Sequence, residues 1–350
     1  MANHIRHASL ALAAAMLAAP CIAQAQQSRT IDVPAGKKWQ HAATGLIVPQ
    51  ALAGMPRTAI TDATTGEIDV SVQFGDPQTL HLTLYIFRPA VQAVPMWFDR
   101  IETHVLGRDA FGDSVPHGAP IAFAPPHATA AGALRRVYVP GKGPFKATGA
   151  ALLPLGEWLV ALRLSSTQLD PAALDAKLVE AVAGLGWPAP ATAAAQAPAA
   201  APIAPCTTAL NFSKKAKPKK PDMTMALFGA ALASAARNPE VEKAAGPGPS
   251  GFCREGAPGK MATAYRALAG GEGYLIALGD AGRTISVYPE LKLDGGSPGY
   301  AVTLQDLATS YVFPAFDKLP APDKVVAMLG KTRPISSSAR GDKTLTINVR

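Results

Sequence analysis

Between Pro188 and Pro205 the chain reads PAPATAAAQAPAAAPIAP, and no other stretch constrains the fold as much. Alanine alone favours helix, but the five prolines remove backbone donors and clash with the preceding turn. Nothing in the tract carries enough apolar surface to build a core. The chain is therefore read as two α+β domains, at 30–187 and 206–350, each a mostly antiparallel sheet with packed helices, joined by an Ala/Pro-rich linker at 188–205. A proline-rich spacer of this length reaches at most about 55 Å at roughly 3.1 Å per residue. It is expected to hold two independently folded modules apart, so that each can meet its own partner or envelope layer.

In the first unit, EIDVSVQF alternates Ile68, Val70, Val72 and Phe74 with polar residues, the pattern of a half-buried strand. The turn GDPQ leads to TLHLTLYIF, where Leu80, Leu82, Leu84 and Ile86 form the apolar face of a hairpin and His81, Thr83 and Tyr85 point the other way. Pro95 opens a helix with Trp97, Phe98, Ile101 and Val105 at helical spacing up to Gly107, placed to cover the sheet. RRVYV and the two halves of ALLPLGEWLVALRL read as strands. Asp170 then caps a helix that Pro171 begins, lined by Leu174, Leu178, Val182 and Leu185 up to Gly186.

The second unit starts with a short strand, CTTALNF, and continues after a lysine run into an alanine-rich helix, MTMALFGAALASAA, capped by Asp222. YLIALGDAGRTISVYPE reads as a hairpin turning at Asp280 to Gly282. Thr303 and Asp306 form a capping box for a helix carrying Leu304, Leu307 and Tyr311 up to Pro314. KTLTINV closes the chain as a strand.

Residues 1–25 read as a signal peptide: His4, Arg6 and His7, then the apolar run SLALAAAMLAAPCIA, then AQA, with cleavage after Ala25. Pro20 argues against a lipid anchor on Cys21. No later apolar run approaches the roughly 20 residues of a transmembrane helix, so the mature protein is expected in the periplasm. Removing Arg6 lowers the formal charge from +8 by one, which leaves the chain basic. Two cysteines then remain in an oxidising compartment, and Cys206 and Cys253 are expected to form a disulfide worth roughly 3 to 4 kcal/mol.

Motifs that carry chemistry are sparse. GGSPG, around Ser297, matches G-x-S-x-G, yet Pro298 follows the serine and no histidine lies downstream, so it reads as a turn. Arg340-Gly341-Asp342 reads as a polar turn. All five mature histidines fall in the first unit; His104, Asp109, Asp113 and His117 are metal-ligating types but match no metal spacing. GKGPFKATG and GAPGKMAT lack the phosphate-binding spacing. Lys214, Lys215, Lys217, Lys219 and Lys220 offer contact with an anionic surface from an otherwise solvated loop. Without interleaved aromatics, and after export, nucleic acid is not the partner.

The chain is accordingly expected to be a non-catalytic binding, accessory or structural component of a bacterial cell envelope. It has no assigned catalytic, metal-binding or cofactor-binding residue and no cofactor, and an envelope protein or an anionic surface is its expected partner. The alternative is a periplasmic hydrolase or metal-dependent enzyme with its site in the N-terminal unit, on the segment from His104 to His127.

Overall fold

The computed structural model describes residues 28–64, 66–189, 199–220, 251–290, 299–339 and 345–348. The expected signal peptide with Cys21, most of the Ala/Pro tract, the alanine-rich helix, Ser297 and the Arg340 to Asp342 turn lie outside these residues. The described chain is mostly antiparallel sheet in two sheet-rich regions, with few helices.

The first region begins with four short strands, β1 (Arg29–Thr30), β2 (Trp39–Gln40), β3 (Ile47–Val48) and β4 (Ala51–Leu52). The longer β5 (Met55–Asp62), β6 (Asp69–Asp76) and β7 (Leu80–Phe87) lead into helix α1 (Val94–Leu106). β8 (Val115–Phe123), β9 (Ala133–Val139), β10 (Ala147–Leu155) and β11 (Trp158–Ser166) follow, and then helix α2 (Pro171–Gly184). The main sheet runs β1-β5-β6-β7-β11-β10-β9-β8, so β11 returns to pair with β7 after the α1 excursion.

Local sequence explains these elements. Val70, Val72 and Phe74 sit opposite Ile86, Leu84 and Leu82, and all six are buried on one face. Helix α1 has proline in its first turn, and the Gly107 amide closes its end. Asp170 accepts from the Ala173 amide at 2.9 Å, one of the four donors that the start of α2 would otherwise leave unpaired. Its Leu174, Leu178, Ala181 and Val182 pack with Val72, Leu84 and Leu162 under one face of the sheet.

The second region is an antiparallel meander whose strands pair in chain order. It comprises β12 (Phe252–Gly259), β13 (Ala262–Ala267), β14 (Tyr274–Leu278), β15 (Arg283–Pro289), β16 (Tyr300–Asp306), β17 (Thr309–Phe316), β18 (Ser336–Ala339) and β19 (Leu345–Ile347). Helix α3 (Pro322–Leu329) adds Val325 and Met328 to a core with Ile276, Ile285, Val302 and Phe313.

Three expectations change. The helix expected from Thr303 is instead the β16–β17 hairpin: Val302, Leu304 and Gln305 pair with Phe313, Tyr311 and Ser310, and Leu307 occupies the turn at φ 38°. Val302, Thr303, Val312 and Phe313 prefer a pleated surface, and β15 supplies a ladder that overrides the local cap signal. CTTALNF forms no strand; a disulfide between Cys206 and Cys253 and a single bridge from Pro205 to Arg254 hold its start against β12. The two regions are also not held apart. Phe252, Tyr265 and Leu275 of the second enter one buried cluster with Trp97, Phe98, Leu152 and Leu159 of the first. Ala200, near the end of the tract, is buried in the same cluster and donates its amide to Ala131 O at 2.8 Å.

Candidate functional site

Because side chains alternate across a strand, the apolar face that β6, β7, β10 and β11 turn toward α2 implies a second face composed of the intervening residues. On that face Gln73 lies opposite Thr83, Thr83 opposite Arg163, His81 opposite Ser165, and Ser165 opposite Thr148. Helix α1 crosses above and brings His104 and Val105, with Arg108 and Phe111 following in the next loop. Floor and roof flank a cavity of about 310 Å³ that opens to solvent and has a mainly polar wall.

The floor is fixed by its own contacts. Thr148 Oγ1 and Ser165 Oγ share a hydrogen bond of 2.8 Å. The Arg163 guanidinium lies over the Tyr85 ring at 5.1 Å and pairs with Asp280. Arg108 stacks on Phe111 at 4.8 Å from the rim. Burial first, then the charge of Arg108, holds the His81 imidazole below its ordinary pKa, against a smaller opposite pull from Asp76. Two nitrogens of the wall, Arg163 Nε and His81 Nδ1, are buried without a hydrogen-bond partner. An unpaired buried polar group costs about 1–3 kcal/mol, so these two nitrogens are a local cost of the wall.

The second region supplies the piece that orders this wall. Asp280, in the β14–β15 turn, lies 3.0 Å from His104 Nδ1 and also binds Arg163. His104 Nε2 is 3.1 Å from Arg100, and a guanidinium only donates, so Nε2 accepts and Nδ1 carries the proton toward Asp280. Burial alone would raise the Asp280 carboxyl. The hydrogen bond from His104 and the charge of Arg163 outweigh it and hold the group well below the usual carboxylate range. The turn seats closely because Gly282, at φ +94°, has Pro89 Cα 2.9 Å from where a Cβ would stand, and its carbonyl accepts from Ala90 N at 2.9 Å.

Further pairs cross the same junction. Asp99 on α1 binds Arg254 and accepts from the Tyr265 hydroxyl at 2.5 Å. Asp69 faces Arg283 at 3.8 Å, and burial pushes its carboxyl up to about 6, countered by Arg283 and reinforced by Asp280, Asp62 and Asp306. The folded state therefore takes up a proton that the unfolded chain has released, and stability contributed at this site falls as pH rises from about 4 to about 6. Asp69→Asn is expected to raise stability by about 1–2 kcal/mol at pH 7 and to leave it nearly unchanged at pH 4. Urea midpoints at the two pH values check this; a loss at pH 7 would show that attraction to Arg283 dominates.

The residues singled out from sequence fare differently. His81, Thr83 and Tyr85 do share the hairpin's second face. His104 joins Asp280 and Arg100, while the side chain of Asp109 is 93 % exposed and His117 sits on edge strand β8. Among the described residues no three or more His, Cys, Asp or Glu draw together as a metal site would require. Lys217 exchanges hydrogen bonds with Asp317, and Lys219 binds Glu290 at 2.8 Å and β17 through Ala315 O, so the lysine run is fastened to the sheet. Lys214, Lys215, Lys217 and Lys220 remain exposed. Sequence reading missed Gln73, Arg108, Thr148, Arg163, Ser165 and Asp280. The usable signal was a polar residue at every second position of three strands, which gains meaning only once a helix covers that face.

Compared with protein-family models, with curated proteins and with solved structures, the chain matches none.

Proposed function

We propose that this is an exported binding or accessory protein of a bacterial cell envelope, non-catalytic, with the cavity beneath α1 as its ligand site. In this reading residues 1–25 are a signal peptide, the mature chain resides in the periplasm, and two α+β domains at 30–187 and 206–350 are joined through the Ala/Pro-rich linker at 188–205. The observation that carries the reading is a mainly polar cavity of about 310 Å³ whose wall is ordered by Asp280 from the other sheet-rich region. Ligand sites favour concave junctions of this kind with a few convergent polar groups. Binding is favoured over hydrolysis because His104 spends both ring nitrogens on Asp280 and Arg100, and the Ser165 hydroxyl is paired with Thr148 rather than with a base. The Cys206–Cys253 disulfide agrees with an oxidising compartment, and among the described residues no helix is long and apolar enough to cross a membrane.

The test is a native mass spectrum of the protein isolated from the periplasm, set beside the same sample denatured. The expected result is a mass beginning at Gln26, an oxidised cysteine pair and a small-molecule adduct that denaturation removes. A chain with its leader intact, or one that never carries an adduct, would refute the corresponding part.

The lysine run is proposed as a second, electrostatic contact with anionic envelope surfaces. Each exposed ammonium near an anionic membrane contributes roughly 1 kcal/mol. Glutamine at Lys214, Lys215, Lys217 and Lys220 together is expected to abolish low-salt binding to phosphatidylglycerol vesicles, while Lys219→Gln alone changes little because Glu290 already neutralises that charge. Vesicle co-sedimentation reads both; unchanged binding by the fourfold variant ends the electrostatic reading.

A further inference from the structure

The chemistry of the cavity narrows what it can hold, and this rests on the reading of the cavity as a ligand site. Its charges nearly cancel in one place and not in another. Among the described residues the carboxylate that contacts its wall, Asp280, is neutralised by Arg163 and hydrogen-bonded by His104. Arg108, on the rim, is stacked on Phe111 and forms no ion pair among the described residues. Asp76 acts on His81 from outside, where it caps its own turn through Gln78 and Thr79. One cation is therefore left for a guest to neutralise. Hydrogen bonding points the same way, since the Arg108 guanidinium on the rim can only donate.

Size supplies the second constraint. The cavity, about 310 Å³, is much larger than one water or one tetrahedral oxyanion needs. An inorganic phosphate or sulfate would leave most of it empty. Thr83, Tyr85, Thr148, Ser165 and Gln73 offer hydroxyls and an amide around the remaining space, which suits a guest with hydroxyl or amino groups of its own.

We infer that the cavity binds a small polar organic acid, its carboxylate placed between Arg108 and the Arg163 side of the wall and its hydroxyl- or amino-bearing body over the Thr83 to Ser165 floor. The guest's carboxylate neutralises Arg108, and the polar lining selects against cations and against acids with a long apolar tail.

Isothermal titration of the full mature protein with malate, succinate, glutamate, inorganic phosphate, sulfate, erythritol and putrescine tests this. Saturable binding of at least one organic acid is expected, with phosphate and sulfate much weaker and erythritol and putrescine silent. Arg108→Gln removes an exposed charge and should leave melting of the unliganded protein unchanged, while weakening the acid by about 10- to 100-fold, the range for a lost charged hydrogen bond. Thr83→Val should weaken hydroxy or amino acids more than succinate. Saturation by phosphate or sulfate alone overturns the organic body. Binding of erythritol or putrescine, unaffected by Arg108→Gln, overturns the anion class and leaves the ligand site standing. A silent panel, together with periplasmic protein that carries no adduct, overturns the ligand site itself.

Discussion

Arg100→Met is expected to cost about 4 kcal/mol, which lowers the melting temperature by about 10 °C, and to resolve one unfolding transition into two. Arg100 is fully buried on α1. Its Nε donates to Gly279 O at 2.8 Å, and its terminal nitrogens to Thr263 Oγ1 at 2.5 Å, Lys260 O at 3.1 Å and His104 Nε2 at 3.1 Å. Three of those four acceptors belong to the second sheet-rich region, so one side chain of the first region satisfies two carbonyls and the buried Thr263 hydroxyl of the second.

Methionine fills a similar volume but donates nothing. Each orphaned acceptor costs about 1–3 kcal/mol, and the relief of no longer burying a guanidinium offsets only part of the sum. Burial does lower the Arg100 pKa, though Tyr265 and Asp280 counter it. Calorimetry of the variant beside the parent gives the answer. One transition at the parental temperature would mean that apolar contacts through Trp97, Phe252 and Leu275 hold the two regions together without this arginine.

Loss of the disulfide has an effect of similar size by a different route. Cys206 and Cys253 are separated by 47 residues, and in the chain-entropy account closing such a loop contributes about 4 kcal/mol through the unfolded ensemble. The bond also fastens the incoming chain to β12, the edge of the second sheet, beside Arg254, whose guanidinium reaches Asp99 across the junction. The double replacement of both cysteines by serine, or reduction of the parent, is expected to lower the urea midpoint accordingly and to loosen β12 first in hydrogen exchange. A midpoint unchanged under reductant, with both thiols alkylated, would assign the bond no part in stability.

Much of the secondary structure was legible because its signals are local. The β6–β7 hairpin follows from strict alternation around a short polar turn, and α1 and α2 from proline at their starts with an aspartate cap on the latter. The segment around Leu304, Leu307 and Tyr311 was misread since those positions satisfy helical spacing and strand alternation imperfectly but comparably. Only the neighbouring ladder of β15 decides between them. The spacer reading failed differently: composition reports that the Ala/Pro tract builds no core, but not whether its ends lie on one, as Ala200 does.

The sequence by itself determined which residues alternate, where the two long helices of the first region begin, and which two cysteines pair once Cys21 is taken as part of the leader. These depend on backbone sterics, hydrogen bonding within a few residues, and simple counting. Tertiary structure alone decided the cavity. Thr83 and Arg163 become neighbours only because β11 returns to β7 across the excursion through α1, and that polar face becomes a wall only because α1 lies over it. Asp280 reaches His104 and Arg163 only because two regions distant in sequence bury a common core, a non-local free-energy balance that no local pattern records.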